Sequence, residues 1–242
     1  MSRLKTLLLK FSGPLQSWGT DSHFETRYTD FHPSKSAVIG LIAASLGYRR
    51  DEDEKIAKLN DLNFAVRVDQ RGNLLRDYQI ATAYKPDGRF ERNYVTNRYY
   101  LEDAVFVVAL SGEDELIDDI EYAIRNPYFQ PFFGKRSNPV NPDIIIKTTT
   151  DDIVTSLEKL RWQASKFHKR EFKDKEFVEL EVYIDGDLIE TSSSKFRKDR
   201  VKSFSQKHRQ FGYRGEKIFT IRVTDEHDAF MFIGGEDVFI KS

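Results

Sequence analysis

The sequence predicts an α+β protein whose body is of ferredoxin-like type, and three observations carry that expectation. Short apolar runs bounded by turn residues alternate with segments of helical period. Their order opens β-α-β, continues β-α and then adds further strands. A long polar and aromatic stretch also doubles back about Lys85-Pro86-Asp87-Gly88-Arg89, with Pro and Gly at turn-favoured positions.

Residues 4–11 read as a buried first strand ending in the turn Ser12-Gly13-Pro14. The apolar run there is only three leucines before Lys10, and no small-residue cleavage site follows, so it is not read as a signal peptide. A polar and aromatic loop spans 16–33. Ser34 or Ser36 then caps a helix whose apolar positions Val38, Ile39, Leu41, Ile42 and Leu46 recur at helical spacing, with Gly47 as the stop. Residues 52–59 suit a short helix with carboxylates at its N-terminus. Residues 64–68 alternate as a strand should. The segments 74–84 and 89–100 then pair as a long hairpin projecting from the body.

Residues 104–110 form a nearly continuous apolar strand, 114–124 a helix, 126–142 a Pro-, Gly- and Asn-rich loop, and 144–146 a strand edge. Further strands are expected at 177–184, 217–223 and 229–233, with a turn at Asp185-Gly186.

The chain has 242 residues, enough for a sizeable core, and no cysteine. Disulfides, thiolate metal sites and cysteine nucleophiles are thereby excluded, and a reducing cytoplasm fits. No stretch approaches the apolar length that a membrane span needs, so no membrane partner is expected. The net charge of −1 hides an uneven distribution. Acidic residues gather at 51–54, 113–121 and 225–228, and basic ones at 161–175 and 195–217, where Asp199 and Glu216 oppose nine Lys or Arg. Local field governs nucleic-acid binding, so near-neutrality does not exclude it.

Four stretches could carry chemistry. The first is Gly13-Pro14-Leu15-Gln16-Ser17-Trp18-Gly19, then Arg27, then Pro33-Ser34-Lys35-Ser36 running to Gly40-Leu41. Unpaired amides at the helix start, with Lys35 adding charge, would suit a phosphate; a plain cap with a solvated lysine is the alternative. The second is Phe132-Phe133-Gly134-Lys135-Arg136-Ser137-Asn138-Pro139. It is not a nucleotide-triphosphate loop, because Phe129 stands where that loop's first glycine should be. What remains is a glycine-bearing loop with two cations that can cradle an RNA backbone or simply be solvated. The third is the hairpin, where Arg76, Arg89, Arg92 and Arg98 interleave with Tyr78, Tyr84, Phe90, Tyr94, Tyr99 and Tyr100. Such a pattern joins phosphate attraction to base stacking, or else marks half-buried strand faces. The fourth is Lys207-His208-Arg209-Gln210-Phe211, open to the same two readings.

Catalytic signals are poor. None of His23, His32, His168, His208 and His227 shows compact metal-ligand spacing, and no serine sits in a nucleophile elbow. Neither a metal nor a cofactor is expected. Metal-free RNA cleavage needs a general base beside a cation, which His208 with Lys207 or Arg209, or Tyr28 or Tyr78 with Lys135, could supply.

Residues 7–47, especially the two motifs 13–19 and 33–41, closely resemble the opening of the CasD family of CRISPR-associated proteins. Leu46-Gly47 to Arg50-Asp51, Arg76-Asp77-Tyr78, 98–110 and 128–139 recur in order as in that family, and the likeness thins later to Arg209-Gln210-Phe211. Ser34 stands where many members have Thr, which keeps the hydroxyl. The resemblance implies a modified ferredoxin-like (RNA-recognition-motif-like) domain at 1–150, with a protruding β-hairpin thumb at about 74–102. A smaller, basic, mostly β part would follow at 151–242.

The resemblance also implies a non-catalytic Cascade subunit of the cytoplasm that grips the 5′ handle of the CRISPR RNA. Its partners would be the backbone and large subunits, with target DNA met only indirectly. The RNA-binding candidates are then Gln16, Trp18, Arg27, Ser34, Lys35, Ser36, Arg76, Arg89, Arg92, Arg98, Lys135, Arg136, Ser137 and Arg209. Because a related subtype has a CasD-like member that cleaves RNA, a metal-independent endoribonuclease is the competing expectation.

Overall fold

The computed structural model describes residues 4–20, 25–190 and 194–224. The strand expected at 229–233, His23 and His227 lie outside the described residues.

The leading strand β1 (Leu4–Ser12) sits inside a sheet covered on both faces, which is why its leucines run without alternation. Leu7, Leu9 and Phe11 point into one cluster with α1 (Lys35–Ser45) and α3 (Asp114–Arg125). Leu8 points into the other, with Ile153 and Leu157 of α4 (Ile153–Glu158) and Trp162. Two short strands, β2 (Leu15–Gln16) and β3 (Thr26–Arg27), precede α1. The Ser34 hydroxyl accepts from Ala37 N at the start of that helix, and Gly47 follows it at φ 80°. Next come α2 (Asp53–Lys58), one 3-10 turn (Leu59–Asp61) and β4 (Asn63–Gln70).

The hairpin is β5 (Asn73–Tyr84) and β6 (Phe90–Glu102), paired antiparallel from Asn73↔Glu102 to Tyr84↔Phe90. Most of β5 and the outer half of β6 are exposed, so the hairpin stands away from the core. β7 (Val105–Glu113) leads into α3, whose first turn holds Asp114 and Glu115 and whose last turn holds Arg125, each matching the helix dipole. β8 (Ile145–Thr149) forms the sheet edge beside β1. After α4 follow α5 (Lys166–Arg170), β9 (Val178–Asp185), β10 (Ser194–Ser203) and β11 (Gln210–Val223).

Among the described residues the main sheet has the order β10-β11-β9-β4-β7-β1-β8, and its pairs are antiparallel. β9 pairs with β4, so the strands after residue 151 extend the same sheet. The sequence reading missed α4, α5 and β10. The helices are single turns held by tertiary contacts, and β10 is charged at most positions because much of it is exposed at an edge. No helix of the described residues is long and apolar enough to cross a membrane.

Candidate nucleic-acid interface

β6 alternates its side chains across the hairpin, and one face carries Arg92, Tyr94, Arg98 and Tyr100. The Arg92 guanidinium lies 4.2 Å from the centre of the Tyr94 ring. Further in, Tyr100 is buried and its hydroxyl accepts from Lys135 Nζ at 2.9 Å. β3 adds alongside β6 in parallel, setting Arg27 beside Arg98. Arg98 Nε is buried without a hydrogen-bond partner. Asp77, in register with Arg98, instead accepts from Gln79 at 2.6 Å. A stripe of cations and aromatic rings therefore runs from the exposed hairpin to the body.

The opposite face carries Tyr28 stacked on Tyr99 at 5.4 Å, with Arg76 donating to Asn97 Oδ1 at 2.8 and 3.0 Å. Arg89 sits at the exposed turn, paired with Asp87 at 2.6 Å, and this contact holds the Asp87 carboxyl below its usual range.

The loop that supplies Lys135 is strapped down from beneath. Gly134 adopts φ 79°, and a Cβ there would lie 1.9 Å from Ser17 O, so only glycine fits. Ser17 N donates to Phe133 O, and Phe133 N to Asn138 O. Arg136 and Ser137 are left exposed on the loop.

Several expected contacts are elsewhere. Gln16 is fully buried, donating to Ala104 O at 2.7 Å and accepting from Trp18 Nε1 at 3.1 Å. Trp18 packs against Phe11 and Phe133 at 5.6 and 5.5 Å. The motif 13–19 thus acts as the plug under the Gly134 loop, and these two residues do not reach the surface.

The helix-start reading is corrected in the same way. Lys35 Nζ points inward, donating to Asn60 O, Leu62 O and Asp185 Oδ2 at 2.9, 2.6 and 2.9 Å. The first amide of α1, Lys35 N, donates to Asp199 Oδ2 at 2.9 Å. An internal carboxylate occupies the position where a phosphate was expected. Ser34 is buried beside it, its hydroxyl 3.2 Å from that of the half-buried Ser36. Sequence pattern could not show this, because Asp199 is 164 residues away from Lys35.

Asp199 belongs to a buried ionic network in which Arg214 donates to Asp199, Asp185 and Glu216 at 2.8–3.0 Å. Burial alone would lower the Arg214 pKa, but Asp199 above all, then Asp185 and Glu216, hold it above the usual value. His32 lies at the margin, stacked on Tyr183 at 3.8 Å. Its Nδ1 donates to Pro33 O at 3.2 Å while Nε2 accepts from Arg197 at 2.7 Å, a pairing that fits the neutral imidazole. Burial, then the Arg197 charge, push it down to about 3. It is therefore no base for chemistry near neutrality. Among the described residues no group of three His, Asp or Glu converges as a metal site.

Arg209, in the turn before β11, lies 5.1 Å over the Phe211 ring. Partial burial of its head group, then the charges of Arg50 and Arg27, lower its pKa. Arg50 was not singled out as a binding residue in the sequence, although the stretch Leu46-Gly47 to Arg50-Asp51 carries part of the family resemblance.

The chain is similar to known proteins in sequence and in fold. Residues 6–216 match the family described as CRISPR-associated protein (Cas_Cas5). The CRISPR system Cascade subunit CasD of Escherichia coli (strain K12) is 33% identical over 157 residues, covering 59% of this chain and 70% of that protein. Among solved structures, a chain of a CRISPR RNA-guided surveillance complex is similar with TM-score 0.73 and 28% identity, over 90% of this chain and 91% of that one. A second, described as a Cas protein, is similar with TM-score 0.63 and 30% identity, over 89% and 94%.

Proposed function

The chain belongs to the CRISPR-associated Cas5 family, and from that premise we propose that it is a Cascade-type subunit that binds the 5′ handle of CRISPR RNA without cutting it. The observation that carries this reading is the stripe Arg92–Tyr94–Arg98–Tyr100, with Arg27 in register beside Arg98, Lys135 donating to Tyr100 and Arg136 exposed on the same loop as Lys135. None of these five cations has a carboxylate partner among the described residues, whereas Arg71, Arg125 and Arg222 pair with Glu181, Glu121 and Glu179. Free guanidiniums beside aromatic rings suit single-stranded RNA, whose phosphates they neutralise and whose bases stack on the rings.

In this reading the strand order β8-β1-β7-β4, with α1 and α3 on one face, is a ferredoxin-like, RNA-recognition-motif-like body at 1–150. The β5–β6 hairpin is its thumb, and 151–242 is a basic extension. The names of two relatives, a Cascade subunit and a chain of an RNA-guided surveillance complex, support other Cascade subunits and CRISPR RNA as partners; target DNA met through them and a place in the cytoplasm are further parts of the proposal. Gln16, Trp18, Ser34, Ser36 and Lys35 then shape the site from within rather than touch RNA.

The test is binding of repeat-handle RNA to the purified protein, with and without the paired substitutions Arg92→Ala and Arg98→Ala. Loss of handle binding supports the reading, and undiminished binding rejects it. Incubation of repeat RNA with the protein in EDTA should leave the RNA intact. Site-specific cuts abolished by His208→Ala would reverse the non-cutting half of the proposal.

A further inference from the structure

The β5–β6 hairpin has two faces of different chemistry, and only one of them takes part in the cationic stripe. Antiparallel partners point the same way, so the register assigns each residue to a face. Arg92, Tyr94 and Arg98 stand opposite Ala83, Ala81 and Asp77. The other face pairs Ile80 with Val95 and Tyr84 with Phe90, and adds Tyr78. Side-chain bonds agree with this sorting: Thr82 Oγ1 donates to Asn93 Oδ1 at 3.0 Å, and Arg76 donates to Asn97 Oδ1. Tyr28, stacked on Tyr99, extends the same face to the root of the hairpin.

Tyr78, Ile80, Tyr84, Phe90 and Val95 are each 42–65% exposed. Cross-strand packing stiffens the ribbon but leaves much of each side chain in water. A hairpin built only for stiffness could divide its bulky apolar residues between both faces. Here the cationic face has Ala81 and Ala83, and the bulk lies on the other. From Tyr78 to Tyr84 no charged residue stands at a paired position of that face, and the nearest cation, Arg76, is held by Asn97. Such a surface offers no cation to neutralise a phosphate, and it fits an uncharged apolar surface of a protein. From Leu74 to Tyr84 it measures about 35 Å by about 10 Å. That is roughly 350 Å², where a stable binary interface buries about 800 Å² per partner. Docking on this face therefore needs a second tie.

We propose that the apolar face of the hairpin docks an uncharged apolar patch on a neighbouring protein subunit bound to the same RNA, while the cationic face holds that RNA. The docking rests on the reading of the chain as an RNA-binding Cascade-type subunit, which supplies such neighbours, and goes beyond it by assigning them a surface. The hairpin is then a wedge with RNA on one side and protein on the other. RNA on the cationic face raises the effective concentration of the neighbour, which offsets the small contact area. A two-stranded ribbon is marginally stable in water by itself, so cover on both faces also fixes its direction.

The full chain, assembled with CRISPR RNA and the other Cascade subunits of its own host, tests this with p-benzoylphenylalanine placed at Tyr84 or at Ile80. Photo-crosslinks to another protein subunit of the complex are expected. Crosslinks to RNA would overturn the docking in favour of base stacking, and crosslinks to a second copy of this chain, or none at all, would overturn it too. The double variant Ile80→Thr/Tyr84→Thr keeps a β-favouring residue at both positions and should retain the wild-type melting temperature. It should lower the share of complexes that contain this chain about 10-fold. The isolated variant should still bind handle RNA within about 2-fold of wild type, since no phosphate contact is removed. Val95→Thr gives a milder variant with the same readouts should the double one melt early. Full incorporation of these variants would overturn the docking and leave RNA binding standing. Handle binding lost in the isolated variant would put RNA on this face and overturn the division between the two. A wild-type chain that neither binds handle RNA nor joins the complex would overturn the subunit reading itself, and the docking with it.

Discussion

Lys35 Nζ and Asp185 Oδ2 lie 2.9 Å apart inside the protein, with side chains only 6% and 7% exposed. The pair joins the start of α1 to the end of β9, 150 residues away along the chain. Its two members are not equally supported. Asp185 also accepts from Phe64 N and from Arg214 Nη1, each at 3.0 Å. The Lys35 ammonium has two carbonyl oxygens besides. Asp185→Ala, which strips a carboxylate from Lys35 and Arg214 together, should therefore cost about 3–5 kcal/mol of stability. Lys35→Met keeps the stem, leaves Asp185 paired with Arg214, and should cost about 1–2 kcal/mol. Urea unfolding of both variants measures the difference, and equal losses would contradict the asymmetry.

Gly134→Ala tests the strap beneath the Lys135 loop. The methyl group would lie 1.9 Å from Ser17 O, a backbone atom that cannot swing away, at a φ of 79° that alanine resists. The backbone strain alone is worth about 1–2 kcal/mol, and the loop must also move off Ser17. The expected outcome is a lower melting temperature together with weaker RNA binding, since Lys135 leaves Tyr100. Reduced stability with wild-type RNA affinity would separate the loop from the site.

Local pattern made β1, β4, β7, β9, α1, α3 and the hairpin legible, because each shows its own period or a continuous apolar run over enough residues to be read. The site was legible only in part. Arg92, Arg98, Lys135 and Arg136 could be singled out from their aromatic or glycine neighbours. Gln16, Trp18 and Lys35 look the same in sequence whether they face water or the core, and long-range partners such as Ala104 O and Asp185 decided that. Arg50 was not named as a binding residue because the residue on which its charge acts, Arg209, is supplied by another element.

Stability should fall on mild acidification through His32. The unfolded side chain titrates near 6.5, while burial and Arg197 hold the folded one at about 3. Arg197 and Arg214 oppose its protonation, and Glu216 at 3.7 Å from Nε2 does not offset them. Between those values the unfolded state binds a proton that the folded state refuses. The contribution is therefore fully present above about pH 6.5 and is lost progressively towards pH 3. At about pH 5 the loss is roughly 2 kcal/mol. His32→Asn lacks this titration, so urea midpoints of wild type and variant compared at neutral pH and at about pH 5 should converge. A constant gap between them would mean that folded His32 takes up its proton as readily as the unfolded side chain, against the effect of burial and Arg197.

The hairpin stripe makes a graded prediction about RNA affinity. Arg89 already has the Asp87 carboxylate at 2.6 Å, so its charge is largely spent within the turn. Arg92 and Arg98 have no such partner among the described residues, and Arg98 Nε lacks any acceptor. Neutralising a phosphate releases counterions only where the cation is free to do so. Arg92→Ala and Arg98→Ala should each weaken RNA binding about 10-fold and lower the salt slope by about one, whereas Arg89→Ala should change it less than 3-fold. Tyr94 holds its ring under Arg92 at 4.2 Å and is half-buried. If a base stacks on it, Tyr94→Ala costs about 1–3 kcal/mol of binding with no change in salt slope. Anisotropy titrations at several salt concentrations give both readouts at once. Equal losses for Arg89 and Arg92 would mean that net charge on the hairpin, rather than the stripe, attracts the RNA.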